Sequence, residues 1–430
     1  MKALFISNYY PPHHLGGYEE LCDEVAHGLR IRGHEIAILT SRRGGNQPRT
    51  EDGPIFRWLG SEVDYDAGGI LRQYLFGRAQ RRRRNVAALE RILSDWQPQI
   101  ILTWGGWNLS RDLFAHIEQH GVPPIVYYLA DYWPTLPDAF SLHWKAPARS
   151  RLTVVPKRLL ALGAQMIRGL EPATPGLQFC NALCVSAAVR DRLIKSGIDF
   201  GDVRVVHNGI DVVTFKATRS ENKSAAACPM RLVYSGRLSP EKGIATAIKA
   251  VAILTDADCA VHLTIVGSGS SDYEDELRTQ AKTLGVASNV SFLGRIDRSK
   301  LPELYARMDI MIVPSIWEDP LPRVIQEGMA AGLVVVGTQI GGIPEIIQDG
   351  VNGLLFPPHD SQALADHVSR ILTEPDLITR LGTAAVTSVA SRFGIDRTIT
   401  DIEDYLSQVI SSSTRVADLR SSAIPSTSSC

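Results

Sequence analysis

Two acidic residues, Asp319 and Glu327, stand eight positions apart within PSIWEDPLPRVIQEGMAAG, residues 314–332. The apolar run Ile310–Val313 precedes them and predicts a buried strand. Pro322 lies between the two carboxylates and is expected to open a helix, because its missing N–H would have no partner there. One carboxylate before the helix and one inside it can hold hydroxyl groups on either side of a diphosphate. This layout predicts a nucleotide-sugar site.

The first turn of the predicted helix adds an anion site. The backbone N–H groups of Arg323 and Val324 would point past the strand end, where a helix N-terminus attracts phosphate. Leu321 and Pro322 precede them and complete the loop that we expect to line the site.

A second segment, YSGRLSPEKG over residues 234–243, supplies positive charge. Arg237 and Lys242 lie five positions apart around a turn that follows a predicted strand. Two cations beside a glycine that lets the backbone approach suit a diphosphate. By itself the segment fits a solvated turn about equally well. Together with Asp319 and Glu327, it favours the phosphate site.

Two glycine loops follow predicted strands and are weaker signals. Gly16 and Gly17 link the first strand to the first helix, where their backbone N–H groups can face a phosphate. Gly267 follows a later strand in the triplet Gly267-Ser268-Gly269. That triplet lacks the third glycine of a dinucleotide fingerprint, which disfavours NAD. An ordinary turn is the alternative at both places.

The charge of the 430-residue chain is nearly balanced but unevenly distributed. Residues 1–220 carry 27 Lys+Arg against 21 Asp+Glu, a net charge of +6, and the remainder carries 18 against 25, a net charge of −7. The basic excess is concentrated from Arg72 to Arg84 and from Lys145 to Arg168, so we expect an anionic partner to meet the first half. The run Arg81 to Arg84 has no nucleic-acid module beside it. A solvated helix face and contact with anionic lipid are its two interpretations.

Several classes of protein are disfavoured by the remaining features. The start, MKALFISNYYPP, has too short an apolar run for a signal peptide, and no stretch reaches the length of a transmembrane helix. The six cysteines lack metal-site spacing and predict reduced thiols. The triplets Asp64-Tyr65-Asp66 and Asp256-Ala257-Asp258 do not end predicted strands, so we interpret them as solvated turns and expect no metal. These features predict a cytoplasmic protein.

Strand and helix signals alternate along the chain, which predicts parallel, doubly wound sheets. In the first half, the predicted strands are 2–7, 35–40, 100–104 and 125–129, and the predicted helices are 18–32 and 110–120. A second series of strands restarts near Met230, at 232–235, 262–266, 290–292, 310–313 and 333–336. We therefore predict an α/β fold of two tandem Rossmann-like domains, joined near 207–216 and facing each other across a cleft.

Taken together, these segments resemble the retaining glycosyltransferases of family 4, which have the GT-B fold. The resemblance runs from Met1 to about Ile410 and rests on an ordered set of motifs, namely the GG loop, NGID, GRLSPEKG, IVGSG, NVSFLGR, the acidic segment and GGIPEIIQDGVNGLLF. It implies an acceptor-binding domain over 1–210, a donor-binding domain over 211–390 and a helix over about 391–411 that crosses back to the first domain. The small, polar composition of the tail over 412–430 predicts disorder.

The resemblance also implies a role for each matching residue. Arg237 and Lys242 would neutralise the donor diphosphate as the sugar leaves. Asp319, which replaces the usual glutamate, would contact the transferred sugar, and Glu327 would bind the ribose hydroxyls. The remaining donor contacts would come from Gly16, Gly17, Asn208, Gly267, Arg295 beside the base pocket, Leu321, Pro322, Arg323 and Val324.

The chain departs from the family in YLADYW, residues 128–133, where many relatives have LHDYW. Ala130 stands where family members place a histidine near the reacting carbon of the donor. Asp131 is retained beside it and could orient a hydroxyl. If the leaving phosphate acts as the base, loss of the histidine weakens catalysis without abolishing it. Three other histidines could compensate, although a surface or structural histidine is the more common case; they are His13, His14 and His207.

The implied activity is the transfer of a hexosyl unit from a UDP- or GDP-sugar to a glycan or lipid-linked acceptor, with retention and without a metal or other cofactor. The basic segments predict peripheral contact with the inner face of the plasma membrane, where surface polysaccharide or glycoconjugates are assembled. The alternative is a catalytically weakened relative that still binds nucleotide sugars. A sugar epimerase of the same fold is disfavoured by the order of the motifs.

Overall fold

The computed structural model describes residues 1–12, 16–42, 53–63, 77–146, 154–170, 176–216 and 229–422. They form two compact units. The first unit comprises Met1–Val185, Val189–Val206 and the described chain from Ile399 onward, and the second comprises Ser186–Ala188 and His207–Thr398. The main change of unit therefore follows Val206, four residues before the predicted boundary.

The first unit is built on a seven-stranded parallel sheet. Its strands are β1 (Lys2–Ser7), β2 (Glu35–Ser41), β3 (Ile55–Leu59), β4 (Ile100–Trp104), β5 (Ile125–Leu129), β6 (Asn181–Cys184) and β7 (Asp202–Val205). They are ordered β3-β2-β1-β4-β5-β6-β7. The helices that begin in this part of the chain are α1 (Gly17–Ile31), α2 (Arg78–Trp96), α3 (Arg111–His120), α4 (Ala139–Lys145), α5 (Val154–Leu170) and α6 (Ala187–Lys195).

Burial explains which of these strands the sequence predicted. Strands β1, β4 and β5 are central and buried almost throughout, so they appear as continuous apolar runs, and all three predictions are confirmed to the residue. Strands β3, β6 and β7 were not predicted. They have only four or five residues, and β3 and β7 carry Arg57 and Arg204. Short strands with polar positions lack the signal that marks a central strand.

The second unit is built on a six-stranded parallel sheet. Its strands are β8 (Met230–Ser235), β9 (Val261–Val266), β10 (Val290–Gly294), β11 (Ile310–Val313), β12 (Val334–Thr338) and β13 (Leu354–Phe356). They are ordered β10-β9-β8-β11-β12-β13, so the direction of strand addition reverses between β8 and β11. The five predicted strands of this half are confirmed to within two residues at each end, and the three-residue β13 was missed.

Helices connect and follow these strands, and several of them bury apolar residues in one core. They are α7 (Val212–Lys216), α8 (Ile244–Asp256), α9 (Ser271–Thr283), α10 (Leu301–Ala306), α11 (Arg323–Ala330), α12 (Ile343–Ile346), α13 (Ser361–Thr373), α14 (Pro375–Arg392) and α15 (Ile395–Ser422). Leu232, Ile248 and Ile312 are fully or almost fully buried in that core. The carboxyl ends of β8 and β11 are thereby fixed side by side, which is where doubly wound sheets bind ligands.

Helix α15 belongs to the first unit from Ile399 onward. Its Tyr405 hydroxyl donates to the carbonyl of Asp202 at 2.9 Å, and its Glu403 accepts from Arg32 at 2.6 Å. The predicted crossover helix is thus present but extends to Ser422, so 412–422 of the predicted disordered tail is helical. The hydroxyls of Ser411 and Thr414 donate to carbonyls four residues earlier, which suits a Ser-rich helical turn. The remaining tail residues, 423–430, lie outside the described chain.

Within the described ranges, the longest apolar stretch of any helix falls short of what a membrane span requires.

Close backbone packing at Gly243 gives the first prediction. Gly243 has a φ of 68°, and a Cβ there would lie 1.9 Å from the carbonyl oxygen of Pro314. Gly285 has a similar φ of 75° with no atom within 4 Å of such a Cβ. Alanine therefore costs about 1–2 kcal/mol of backbone strain at either position, and only Gly243→Ala adds a clash. In denaturant unfolding, we expect Gly243→Ala to lose on the order of 2 kcal/mol more than Gly285→Ala. Equal losses would contradict the packing.

Candidate functional site

Four of the predicted site residues lie in the segments that follow β8 and β11, where the strand order reverses. Arg237 and Lys242 lie in or just after the loop that follows β8, and Lys242 ends a short 3₁₀ turn, Pro240–Lys242. Asp319 lies in the loop after β11, and Glu327 lies inside α11. Residues 85 positions apart in sequence, from 242 to 327, are therefore positioned by the ends of two neighbouring strands.

An ion pair joins the two loops. The Nζ of Lys242 donates to Oδ1 of Asp319 at 2.5 Å, and the hydroxyl of Ser315 donates to Oδ2 at 2.5 Å. Asp319 and Ser315 are buried. The carbonyl of Ser315 in turn accepts from the hydroxyl of Thr338 at 2.7 Å. A buried carboxylate with both oxygens engaged holds the ammonium in one place. Sequence reasoning missed Ser315, whose position directly after Pro314 gave no signal.

The environment of Lys242 leaves it able to bind an anion. An ammonium has three N–H donors, and Asp319 accepts one of them. The ring of Trp317 lies 5.5 Å from Nζ and adds a cation–π contact. Lys242 therefore carries a positioned positive charge at the strand end.

Arg237 is more loosely held. Its guanidinium lies 3.5 Å from Oε1 of Glu241, and its side chain is largely exposed, so this pair contributes little to stability. Its backbone is fixed instead, because the hydroxyl of Tyr234 donates to the Arg237 carbonyl at 2.8 Å. Burial raises the pKa of Tyr234 well above its usual value, so the hydroxyl remains a donor. The arginine side chain can then reorient from a fixed loop.

Glu327 has a cationic partner that the sequence did not predict. The guanidinium of Arg298 lies 3.1 Å from Oε1 of Glu327, and the glutamate is buried. Burial and the nearby Arg323 lower the pKa of Arg298, and Glu327 opposes that shift. Arg298 follows the NVSFLGR motif by three residues, which is the one signal that could have drawn attention to it.

The loop before α11 differs slightly from the prediction. Pro322 is the residue before the helix, not its first residue, and α11 begins at Arg323. The carbonyl of Pro322 accepts from the N–H of Ile325 at 3.1 Å. The N–H groups at the first two helical positions, Arg323 and Val324, have no acceptor within the helix itself. The helix therefore begins one residue later than the sequence predicted.

Asn208 supports this loop through its side chain. Its Nδ2 donates to the carbonyl of Leu321 at 3.1 Å, and its Oδ1 accepts from Nε2 of Gln326 at 3.0 Å. Gln326, which sequence reasoning missed, also donates to the Asn208 carbonyl at 2.9 Å. Both side chains are buried. Asn208 was predicted to bind substrate, whereas its amide is engaged within the protein and positions the loop that carries Leu321.

Gly267 also has a structural reason to be glycine. Its φ is 135°, and a Cβ there would lie 1.8 Å from the carbonyl oxygen of Gly236. The loops after β8 and β9 therefore pack backbone against backbone. This contact explains the glycine without any phosphate.

A pocket follows β10 in the same unit. Its volume is about 350 Å³, and its lining residues are Arg295, Ile296, Asp297, Lys300, Glu303, Leu304 and Arg307. Arg295, predicted to border a base pocket, thus borders a concave surface. The pocket is adjacent in sequence to Arg298, the partner of Glu327.

The first unit holds the other predicted residues. Gly16 is the N-cap of α1, and its N–H donates to Oε2 of Glu19 at 3.2 Å, so it is already engaged. Gly17 is the first residue of α1. His13 and His14 lie outside the described residues. His207, in the second unit, bonds Oε2 of Glu345 at 3.0 Å. That contact gives His207 a structural role.

Asp131 is the titratable residue of the first unit whose environment is most suggestive of chemistry. It follows β5 directly, beside Ala130, and its Oδ1 accepts from the N–H of Trp133 at 2.9 Å. Burial raises its pKa from 3.8 to about 6, although the hydrogen bond from the Trp133 N–H opposes the shift. A carboxyl group that titrates near pH 6 can donate or accept a proton near neutrality.

The described residues contain no cluster of three or more His, Cys, Asp or Glu side chains that could hold a metal ion. Asp256 ends α8 and Asp258 lies in the following turn with a φ of 55°, as the interpretation of that triplet as a turn requires. The other triplet, Asp64 to Asp66, lies outside the described chain.

The raised pKa of Asp131 predicts a pH dependence of stability. Between pH 4 and pH 6 the folded protein retains a proton that the unfolded chain has lost, so stability falls as pH rises through that range. The full loss, on the order of 2–3 kcal/mol, is present above about pH 6. We expect Asp131→Asn to remove this dependence and Asp199→Asn, at an exposed position, to retain it, as measured by denaturant unfolding of the full chain at several pH values. A native-like slope in Asp131→Asn would exclude Asp131 as its source.

Two family models match the chain. The model described as Glycosyltransferase Family 4 matches residues 15–213, and the model described as Glycosyl transferases group 1 matches residues 218–387. The glycogen synthase of Mycobacterium tuberculosis is 26% identical over 404 residues, which is 91% of each chain. An uncharacterised glycosyltransferase of Methanocaldococcus jannaschii is 32% identical over 395 residues, which is 87% of this chain and 90% of its own.

A solved structure shares the fold. HepE of Anabaena, crystallised with UDP, has a TM-score of 0.66 and 22% identity, and the match covers 95% of this chain and 100% of HepE. At that identity the likeness demonstrates a common architecture of two Rossmann-like domains.

Proposed function

The chain belongs to the family 4 glycosyltransferases with the GT-B fold, and on that basis we propose that it transfers a hexosyl unit from a UDP- or GDP-sugar to a glycan or lipid-linked acceptor with retention of configuration. The observation that carries the proposal is the Lys242–Asp319 pair at the reversal of strand order, with Arg237 on the same loop. In the proposed reaction this pair would supply fixed positive charge beside the leaving diphosphate.

The second unit supplies the donor contacts in this proposal. Lys242 and Arg237 bind the diphosphate, and the N–H groups of Arg323 and Val324 face it from the start of α11. One carboxylate oxygen of Asp319 accepts a hydrogen bond from Lys242, and the other accepts one from Ser315. Their remaining lone pairs can accept a hydrogen bond from a sugar hydroxyl.

The ribose and the base of the donor also bind to the second unit in this proposal. Glu327, with Arg298 as its partner, accepts from the ribose hydroxyls. The base enters the pocket beside Arg295. The UDP bound by HepE supports a uridine nucleotide, and GDP remains the second candidate.

In the proposed reaction, the bond between the anomeric carbon and the leaving phosphate oxygen breaks on the face that the acceptor attacks. The acceptor oxygen bonds to that carbon, and its proton passes to the leaving phosphate. Lys242 and Arg237 stabilise the negative charge that develops on the diphosphate. The charge they supply makes the reaction independent of a divalent metal. Asp131 orients the acceptor hydroxyl or the sugar.

The proposed setting is the cytoplasmic face of a membrane, during assembly of surface polysaccharide or glycoconjugates. The first unit would bind the acceptor there. The two basic segments, from Arg72 to Arg84 and from Lys145 to Arg168, support contact with anionic lipid. Residues 72–76 and 147–153 of these segments lie outside the described chain.

A donor screen tests the proposed activity. Thermal shifts with UDP, GDP, ADP and their sugars identify the nucleotide, because a ligand that binds the native state raises its stability. Incubation with the matching labelled sugar and a glycan acceptor then measures transfer. Absence of both binding and transfer across the panel would refute the proposal.

The role of Lys242 gives a sharper prediction. We expect Lys242→Met to lower kcat/KM for transfer by about 10²–10³-fold, because a preorganised charge at the leaving group is lost. The matched control is Lys249→Met on α8, which removes an exposed ammonium from the same unit and should change kcat/KM by less than twofold. Retained activity in Lys242→Met with an intact fold would remove this residue from the proposed mechanism.

The alternative function, a nucleotide-sugar-binding protein with weakened catalysis, is favoured by one observation, the alanine at position 130. It predicts donor binding without transfer or donor hydrolysis. We expect Ala130→His to raise transfer at least tenfold with little change in donor affinity, since an imidazole adds a hydrogen bond at the reacting carbon. An unchanged rate in Ala130→His would show that position 130 does not limit turnover.

A further inference from the structure

Helix α5 has an exposed apolar stripe. Its exposed large side chains are Val155 (66%), Leu159 (65%), Leu162 (59%) and Met166 (74%). Their spacing of four, three and four residues places them on one face of the helix. A contiguous patch of exposed apolar side chains is typical of an interaction surface, whereas scattered single ones are common on any protein.

The opposite side of α5 attaches it to the first unit. Leu160 and Ala161 pack against a small cluster of Val63, Ala139 and Trp144. The ammonium of Lys157 donates to the carbonyl of Ala146, at the end of α4, at 2.7 Å. The stripe is therefore distinct from the surface that docks the helix on its own domain.

The charged residues of α5 are all basic, namely Lys157, Arg158 and Arg168. Arg158 is exposed. An apolar stripe on a helix whose charged residues are all basic matches an amphipathic helix that lies in the interface of an anionic membrane.

The same spacing would also suit a helical partner, including a second copy of α5. Stable helix pairs place opposite charges beside the apolar seam. Two copies of α5 would instead bring like charges together. The charge pattern thus favours an anionic surface over self-association.

Helix α2, the described part of the other basic segment, has no such stripe. On α2, Arg82 is paired with Asp112 at 2.7 Å, and Arg83 and Arg84 are exposed. The exposed large apolar side chains of the described residues include none from α2. These two exposed arginines can attract an anionic surface without inserting into it.

We propose that α5 is the membrane-inserting element of this protein, with Val155, Leu159, Leu162 and Met166 in contact with the acyl chains of an anionic bilayer. The exposed Arg158 of the helix contacts the lipid headgroups. This inference rests on the membrane part of the proposed function and narrows it to one helix face.

Vesicle binding by the full chain tests the proposal in the absence of donor. The probes are vesicles of phosphatidylcholine alone and vesicles with about 30% phosphatidylglycerol. We expect binding to the anionic vesicles that weakens as salt rises. The double variant Leu159→Gln/Leu162→Gln should lower the partition coefficient tenfold or more.

Two controls identify the surface. Ile31→Gln/Val122→Gln removes two equally exposed apolar side chains of the first unit outside α5 and should change partitioning by less than twofold. Arg158→Gln should weaken binding severalfold, whereas Arg83→Gln should have a smaller effect. Denaturant unfolding of the α5 variants should give a stability within about 0.5 kcal/mol of the native chain, which verifies that they fold.

Three outcomes would overturn the proposal. They are no binding to anionic vesicles, binding that survives Leu159→Gln/Leu162→Gln, and a dimer in light scattering that the same variant dissociates without any vesicle binding. The assay contains no sugar donor, so a failure of the proposed transfer reaction would not affect it.

Discussion

A carboxylate buried in a protein needs partners for both oxygens, and in the second unit this constraint falls on Asp319. Lys242 from the loop region after β8 and Ser315 from the loop after β11 provide them. The contact ties together the ends of the two strands between which the strand order reverses. It also holds the ammonium of Lys242 at the place where a parallel sheet receives its ligand. The packing of the two loops and the position of the Lys242 charge thus depend on the same ion pair.

The loops around that pair are held by backbone contacts. The carbonyl of Asp319 accepts from the N–H of Gly342 at 2.8 Å, and a Cβ at Gly342 would lie 1.9 Å from the carbonyl oxygen of Pro320. Asn208 and Gln326 hold the next part of the loop. Several residues of the sequence motifs therefore hold the loops rigidly in place around a few charged side chains.

The first unit differs in character, because its candidate chemistry depends on one carboxyl group and its surface on one helix. Burial shifts Asp131 toward neutrality beside a position that lacks the usual histidine. Helix α5 turns one apolar face to its own domain and another outward.

The sequence by itself determined the central strands and the family, because buried strands are continuous apolar runs and the motifs are local. It could not reveal Arg298 beside Glu327, Ser315 beneath Asp319 or Gln326 behind Asn208, since each contact joins side chains that only folding brings together. It assigned Asn208 and Gly267 to ligand, whereas packing accounts for both. The spacing of the apolar residues of α5 in the sequence is that of any amphipathic helix, whose apolar face is usually buried. Only the tertiary structure decided which face is buried, because burial depends on neighbours distant in the chain.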